Sequence, residues 1–111
     1  MPVKALFWLG SSRDDVRGFP AEPRRAIGHE LYQVQQGLQA SSWKPMTTVG
    51  TGVVELRVQV ERAFRVLYVA KFDEGIYVLH AFEKRTRRTR QTDVAVARKR
   101  LKDLEQRRKG R

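Results

Sequence analysis

Five residues on three apolar segments carry side chains suited to handling a phosphate: Glu55, Arg57, Arg65, His80 and Lys84. Arg57 alternates with Leu56 and Val58, so on an extended chain it points away from the apolar side and shares its face with Glu55 and Gln59. Arg65 sits inside Phe64-Arg65-Val66-Leu67-Tyr68, where a guanidinium is costly unless it is paired or faces a polar cleft. A salt bridge to Glu55 or Glu83 and a substrate contact are both open to it, and neither excludes the other. His80 and Lys84 are both even-numbered and share a face of a regular strand. Histidine is the natural proton-transfer residue near neutral pH, yet one flanked by Leu79, Ala81 and Phe82 also suits a structural role. Lys84 and Arg85 lie where the apolar run ends and can hold a phosphate, whereas Arg87, Arg88 and Arg90 supply nonspecific attraction. The chemistry that fits is RNA scission, because the 2′-hydroxyl is a built-in nucleophile. The protein need only align it, move protons and surround the crowded phosphate with positive charge.

Other chemistries lack their residues. Cysteine is absent, which removes disulfides, thiolate nucleophiles and cysteine-ligated zinc, and fits a reducing cytoplasm. Neither His29 nor His80 has a second His at ligand spacing, so no metal centre is expected. No G-x-S-x-G pattern exists for a serine hydrolase, and Gly50-Thr51-Gly52 lacks the Lys-Ser/Thr pair that completes a phosphate loop. No cofactor is implied. Tyr32, Tyr68 and Tyr77 suit packing better than base stacking.

The formal net charge of +11 is unevenly placed. Residues 1–83 hold ten Lys/Arg against nine Asp/Glu, whereas residues 84–111 hold thirteen against three. Such a block favours a polyanion: nucleic acid, an acidic protein or an anionic surface. A solubilising tail would also be charged, but would need neither sign in particular. At 111 residues the chain suits one domain, 1–111, and its apolar fraction of 41% supports a modest core. The run Ala5 to Leu9 is too short for a signal peptide or membrane span.

The elements that must position these residues follow from periodicity. Val3 to Trp8 reads as a strand, and Ser11 or Ser12 caps a short helical turn. A helix from Phe19-Pro20 to about Leu38 carries Ile27, Leu31, Val34 and Leu38 on one stripe, weakened at its end by Gly37. Ala40 to Gly52 reads as a connector, with Trp43 folded back as an anchor. Val54 to Val60 alternates as a half-buried strand, and Phe64 to Ala70 and Ile76 to Phe82 are apolar on both faces, as central strands are. A basic helix over about 92–106, capped by Thr92, buries Val94, Ala97, Leu101 and Leu104 and displays Lys99 and Lys102, with 107–111 frayed. The expectation is an α+β domain of two layers: strand, two helices, three antiparallel strands, C-terminal helix, with the helices on one face.

Taken in order, Phe19-Pro20, Glu30-Leu31, Gln36-Gly37, Trp43-Lys44-Pro45-Met46, Val49-Gly50-Thr51-Gly52-Val53, Glu55-Leu56-Arg57, Phe64-Arg65-Val66-Leu67-Tyr68 and Val78-Leu79-His80-Ala81-Phe82-Glu83-Lys84-Arg85-Thr86 span nearly the whole chain. This combination resembles the phage-derived, HigB-like branch of the RelE toxin superfamily. The resemblance implies the toxin of a type II toxin–antitoxin pair: a small ribosome-dependent mRNA endonuclease that halts translation. It implies a cognate antitoxin, in this branch commonly a helix-turn-helix protein, with operator DNA reached only through the toxin–antitoxin complex. By the same resemblance Arg65 matches the strand arginine of an aromatic-Arg-x-x-Tyr pattern at the scissile phosphate. Arg57 matches a basic position on the preceding strand, and Lys84 and Arg85 match the basic pair ending the last long strand. Many relatives place a catalytic Tyr or His near a short C-terminus. Here Arg90 to Arg111 contains neither, which leaves His80 or Glu55 for proton transfer. The competing readings are a basic RNA- or protein-binding module without catalysis, and a phage structural protein that neutralises packaged nucleic acid.

Overall fold

The computed structural model describes residues 3–110. Its elements are β1 (Ala5–Trp8), α1 (Ser12–Arg17), α2 (Ala21–Gln35), β2 (Trp43–Pro45), β3 (Val53–Val60), β4 (Arg62–Phe72), β5 (Gly75–Glu83) and α3 (Gln91–Lys109). The five strands form one mixed sheet in the order β1-β5-β4-β3-β2, with β1 parallel to β5 and every other pair antiparallel. The α+β class is as expected. The element order is not, because the connector after α2 contributes a short edge strand: Trp43, Lys44 and Pro45 pair with Leu56, Glu55 and Val54. Trp43 is therefore no folded-back anchor but a half-exposed edge residue, 40% accessible.

The layering also differs from expectation. Strand alternation splits the apolar side chains into two cores, one on each face of the sheet. Leu56, Val58, Val66, Tyr68, Ile76 and Val78 meet Val16 of α1 and Ile27, Leu31 and Val34 of α2. Val53, Leu67, Val69, Tyr77 and Leu79 meet Val94, Ala97, Leu101 and Leu104 of α3. The two-layer expectation is thus corrected to three layers, with α3 alone on the far side. Central strands apolar on both faces require this, since a bare second face would expose all of that surface.

Helix α2 stops at Gln35, short of Leu38. Gly37, at φ 85°, takes the left-handed cap position; its N–H donates to Val34 O, and the N–H of Leu38 donates to Gln33 O. This paired capping pattern satisfies the last carbonyls and turns Leu38 out into solvent. At the other end of the chain α3 begins one residue before Thr92, capped by Arg90 without a side-chain bond, and continues to Lys109. The frayed segment expected from 107 is helical to that point; Arg111 lies outside the described residues. Arg108 pairs with Glu74 and its guanidinium lies over the Phe72 ring, 3.9 Å from the centroid, which ties the last turn to the β4–β5 hairpin.

A one-residue irregularity in β5 decides where the chemistry sits. Leu67 pairs with His80 but Tyr68 pairs with Val78, so Leu79 is the extra residue of a bulge. Before it, the odd-numbered Tyr77 and Leu79 face α3; after it, His80 and Phe82 do so. No helix among the described residues is long and apolar enough to cross a membrane.

Candidate nucleic-acid interface

The α3 face of the sheet is apolar in its middle and cationic at the end where β5 stops. Arg57 and Arg65 stand directly opposite one another on β3 and β4. Two like charges in register repel, so this arrangement needs a counter-charge on the same face. Glu55, two residues before Arg57, provides it. Its side chain is wholly buried, and Oε1 lies 3.1 Å from Arg57 Nε, 3.7 Å from Arg65 Nε and 3.9 Å from Lys44 Nζ. Its other oxygen accepts a hydrogen bond from the hydroxyl of Thr89 at 3.1 Å. Every strand cation of this corner is therefore arranged about one carboxylate.

The two arginines are not equivalent. Arg57 keeps 36% of its side chain accessible, while Arg65 keeps 10%. Arg65 donates from Nη1 to its neighbour's carbonyl, Phe64 O, at 2.9 Å, and its Nε has no hydrogen-bond partner. Burial lowers the Arg65 pKa, the Glu55 carboxylate opposes that effect, and Arg57 adds to it. Lys84 extends the group: its backbone N–H donates to Ala63 O at 2.8 Å, continuing the β5 pairing by one residue. Desolvation and the neighbouring Arg65, Lys44 and Arg57 lower the Lys84 amine below its ordinary range, against the pull of Glu55.

Beside this cluster opens a cleft of about 430 Å³, between the β2 end, the 84–90 loop and the start of α3. Lys44, Lys84, Arg87, Arg88 and Arg98 line it, with hydroxyls from Thr47, Thr48 and Thr89 among them. Arg98 is fixed there by donating from Nε to Thr48 O. Five cations with no carboxylate among the lining residues give this cleft a positive potential, which attracts anions. A larger hollow of about 710 Å³ lies by β1, but its Glu74 and Arg108 pair with each other and none of the candidate acid–base or phosphate-binding residues lines it.

The structure thus brings together Glu55, Arg57, Arg65 and Lys84, and places Arg87 and Arg88 at the mouth of the cleft. It places the others elsewhere. Arg85 lies near Glu83, with Nε 3.4 Å from Oε2. Arg90 caps α3 as an exposed residue, Lys99 pairs with Asp103 at 3.4 Å, and Lys102 is exposed. His80 does share the α3 face with the cluster, but it is 9% accessible, stacks on Phe82 and bonds through Nε2 to Asp93 at 2.7 Å. Its Nδ1 is buried without a partner, so the imidazole pins α3 to β5 and does not face the cleft. Glu55, with both oxygens engaged and no accessible surface, has the surroundings of a counter-ion and not of a base. Sequence reasoning missed Lys44, Thr89 and Arg98. Lys44 alone left a trace, as the central residue of Trp43-Lys44-Pro45, which alternates like a strand.

Among the described residues no group of three or more His, Cys, Asp or Glu side chains is placed to hold a metal ion. No curated protein matches the chain. The family model described as phage derived protein Gp49-like (DUF891) matches residues 14–102, from α1 through most of α3 and across the whole cationic corner. The chain belongs to that phage-derived Gp49-like family.

Proposed function

We propose that this protein is the toxin of a type II toxin–antitoxin pair, of the RelE-like, HigB-like kind, and that it cuts messenger RNA on the ribosome. One observation carries the reading: strand-mounted cations, drawn together by a buried carboxylate, stand beside an open cationic cleft. Membership of the Gp49-like family and the sequence resemblance both support it.

The reaction needs no group beyond substrate and side chains. The ribose 2′-oxygen attacks the adjacent phosphorus, the P–O5′ bond breaks, and a 2′,3′-cyclic phosphate and a 5′-hydroxyl result. The 2′-hydroxyl loses its proton to a base, and the departing 5′-oxygen gains one from an acid. Lys84 is the group suited to proton transfer, because its surroundings favour the neutral amine more than water does. Arg57, with a third of its side chain accessible, faces the developing phosphorane charge, and Arg87, Arg88 and Arg98 hold the flanking phosphates. Arg65 acts from below, holding Glu55 and adding its field. An antitoxin, expected to be a helix-turn-helix protein, neutralises the toxin by covering this corner.

Induced expression in bacteria is the test. Growth arrest with cleaved mRNA, relieved by Lys84→Met or Arg57→Met, supports the nuclease. Harmless expression with intact mRNA refutes it and selects the second reading, a basic RNA- or protein-binding module. The burial of Arg65, Glu55 and His80 is the observation that favours that alternative.

A further inference from the structure

We infer that Glu55 is a positioning residue whose buried carboxylate assembles the anion site from four segments of the chain, orienting the β2, β3 and β4 cations through one oxygen and anchoring the 84–90 loop through the other. The geometry is unusual for a structural ion pair. A carboxylate that merely neutralised Arg57 would need one partner. Here Oε1 collects Lys44 from β2, Arg57 from the same strand and Arg65 from β4, while Oε2 accepts the hydroxyl of Thr89 from the loop.

The loop has little else to hold it. Thr86 Oγ1 bonds only locally, to Arg88 O, and Thr86, Arg87 and Arg88 are exposed. A loop carrying Lys84, Arg85, Arg87, Arg88 and Arg90 is repelled by the strand cations beneath it. The bond from Thr89 to a buried anion turns that repulsion into a fixed arrangement in which Lys84, Arg87 and Arg88 line the cleft together with Lys44 and Arg98. Glu55 thereby lowers the ordering that a bound phosphate would otherwise have to impose. The ligand class is a phosphodiester strand, and the inference rests on the nuclease reading only for its turnover arm.

The experiment compares Glu55→Gln, which removes the charge at nearly constant shape, with Thr89→Val, which keeps the charge and removes the tether. Amine reactivity at each lysine of the full chain is followed against pH by acetic anhydride labelling and mass spectrometry. The groups facing Lys84 are Lys44 on β2, Glu55 and Arg57 on β3, Arg65 on β4, and the cleft cations Arg87, Arg88 and Arg98. Loss of Glu55 removes the one attraction among them, so the Lys84 midpoint moves to lower pH in Glu55→Gln while Lys4 and Lys102 stay in place. In Thr89→Val the Lys84 midpoint is retained, but backbone amides of 84–90 exchange faster with deuterium. Cleavage falls by about 100-fold in Glu55→Gln, as misplacement of reacting groups by about 1 Å does elsewhere. An unmoved Lys84 midpoint in folded Glu55→Gln, unchanged exchange in Thr89→Val, or undiminished cleavage by Glu55→Gln overturns the inference. Should Glu55→Gln not fold, Thr89→Val carries the test. Should the wild type not cleave, labelling and exchange still decide it, so the two ideas fail separately.

Discussion

Replacing Arg57 by Met is expected to destabilise the protein more than replacing Arg65 by Met, although Arg65 is the more buried. Arg57 donates from Nε to Glu55 at 3.1 Å, a charge-assisted bond to a wholly buried carboxylate. Such bonds contribute about 1.5–3 kcal/mol, and Arg57 is partly screened by solvent, which sets the loss near 2 kcal/mol. Arg65 stands at 3.7 Å from the same carboxylate, has an unpartnered buried Nε and faces Arg57 across the strands. Its removal gives up one long ion pair and the bond to Phe64 O, but it also ends the desolvation of a guanidinium and the repulsion between the two arginines. Met keeps the apolar stem, and Glu55 retains Arg57 and Thr89. The net cost is below about 1 kcal/mol. Urea denaturation of both variants at neutral pH measures the difference directly. By thermal scan it corresponds to a fall of about 8 °C for Arg57→Met against less than about 4 °C for Arg65→Met. Equal losses, or a greater loss for Arg65→Met, would refute the view that Arg57 and not Arg65 is the main partner of Glu55.

Five cations line the cleft, so the affinity for single-stranded RNA should fall with salt at a log–log slope near −3.5, measured by fluorescence anisotropy. Lys84→Ala should flatten that slope by about 0.7, and a salt-insensitive complex would remove the electrostatic account. Tyr68 is 4% accessible, and burial first, with Glu30 second, raises its phenol to about 12 from 10.0. The folded state thus holds a proton that the unfolded chain releases near pH 10, so stability present below that value is lost as pH climbs towards 12. Tyr68→Phe should abolish this alkaline loss, on the order of 2 kcal/mol, in urea midpoints compared at pH 9 and pH 11.5. Gly75→Ala should destabilise by roughly 2 kcal/mol or more, because a Cβ there would lie 2.5 Å from the Ala5 carbonyl oxygen; an unchanged melting temperature would contradict the tight parallel seam between β1 and β5.

Much of this was legible in the residues, and the gaps have physical causes. The alternation through Val54, Leu56 and Val58 put Glu55 and Arg57 on one face, and the structure keeps them there. The stripes of α2 up to Val34 and of α3 through Leu104 are the ones buried, because helical periodicity is a local property. Leu38 leaves the stripe because Gly37, the weak point its residue type already marked, ends the helix with a left-handed cap. The second layer of helix was missed because periodicity says which side of α3 is covered, not which side of the sheet covers it. Lys44, Thr89 and Arg98 come from three distant segments, and only the partner strand and the buried carboxylate make them neighbours. His80 stays open between proton transfer and a structural role in the sequence because its chain neighbours do not reveal Asp93, thirteen residues on.

The irregular residue at position 79 has an evolutionary corollary. Leu79 and His80 both face the α3 side, so loss of Leu79 would leave Phe82 and Lys84 on the side they already hold and let the strand pair regularly. Straightening the strand with Leu79 kept would instead, by the period of two, swing Phe82 and Lys84 to the side of the sheet held by α2. The terminal lysine would then leave the company of Arg57 and Glu55. Descendants of this chain can therefore shed the extra residue more readily than they can draw it into the ladder.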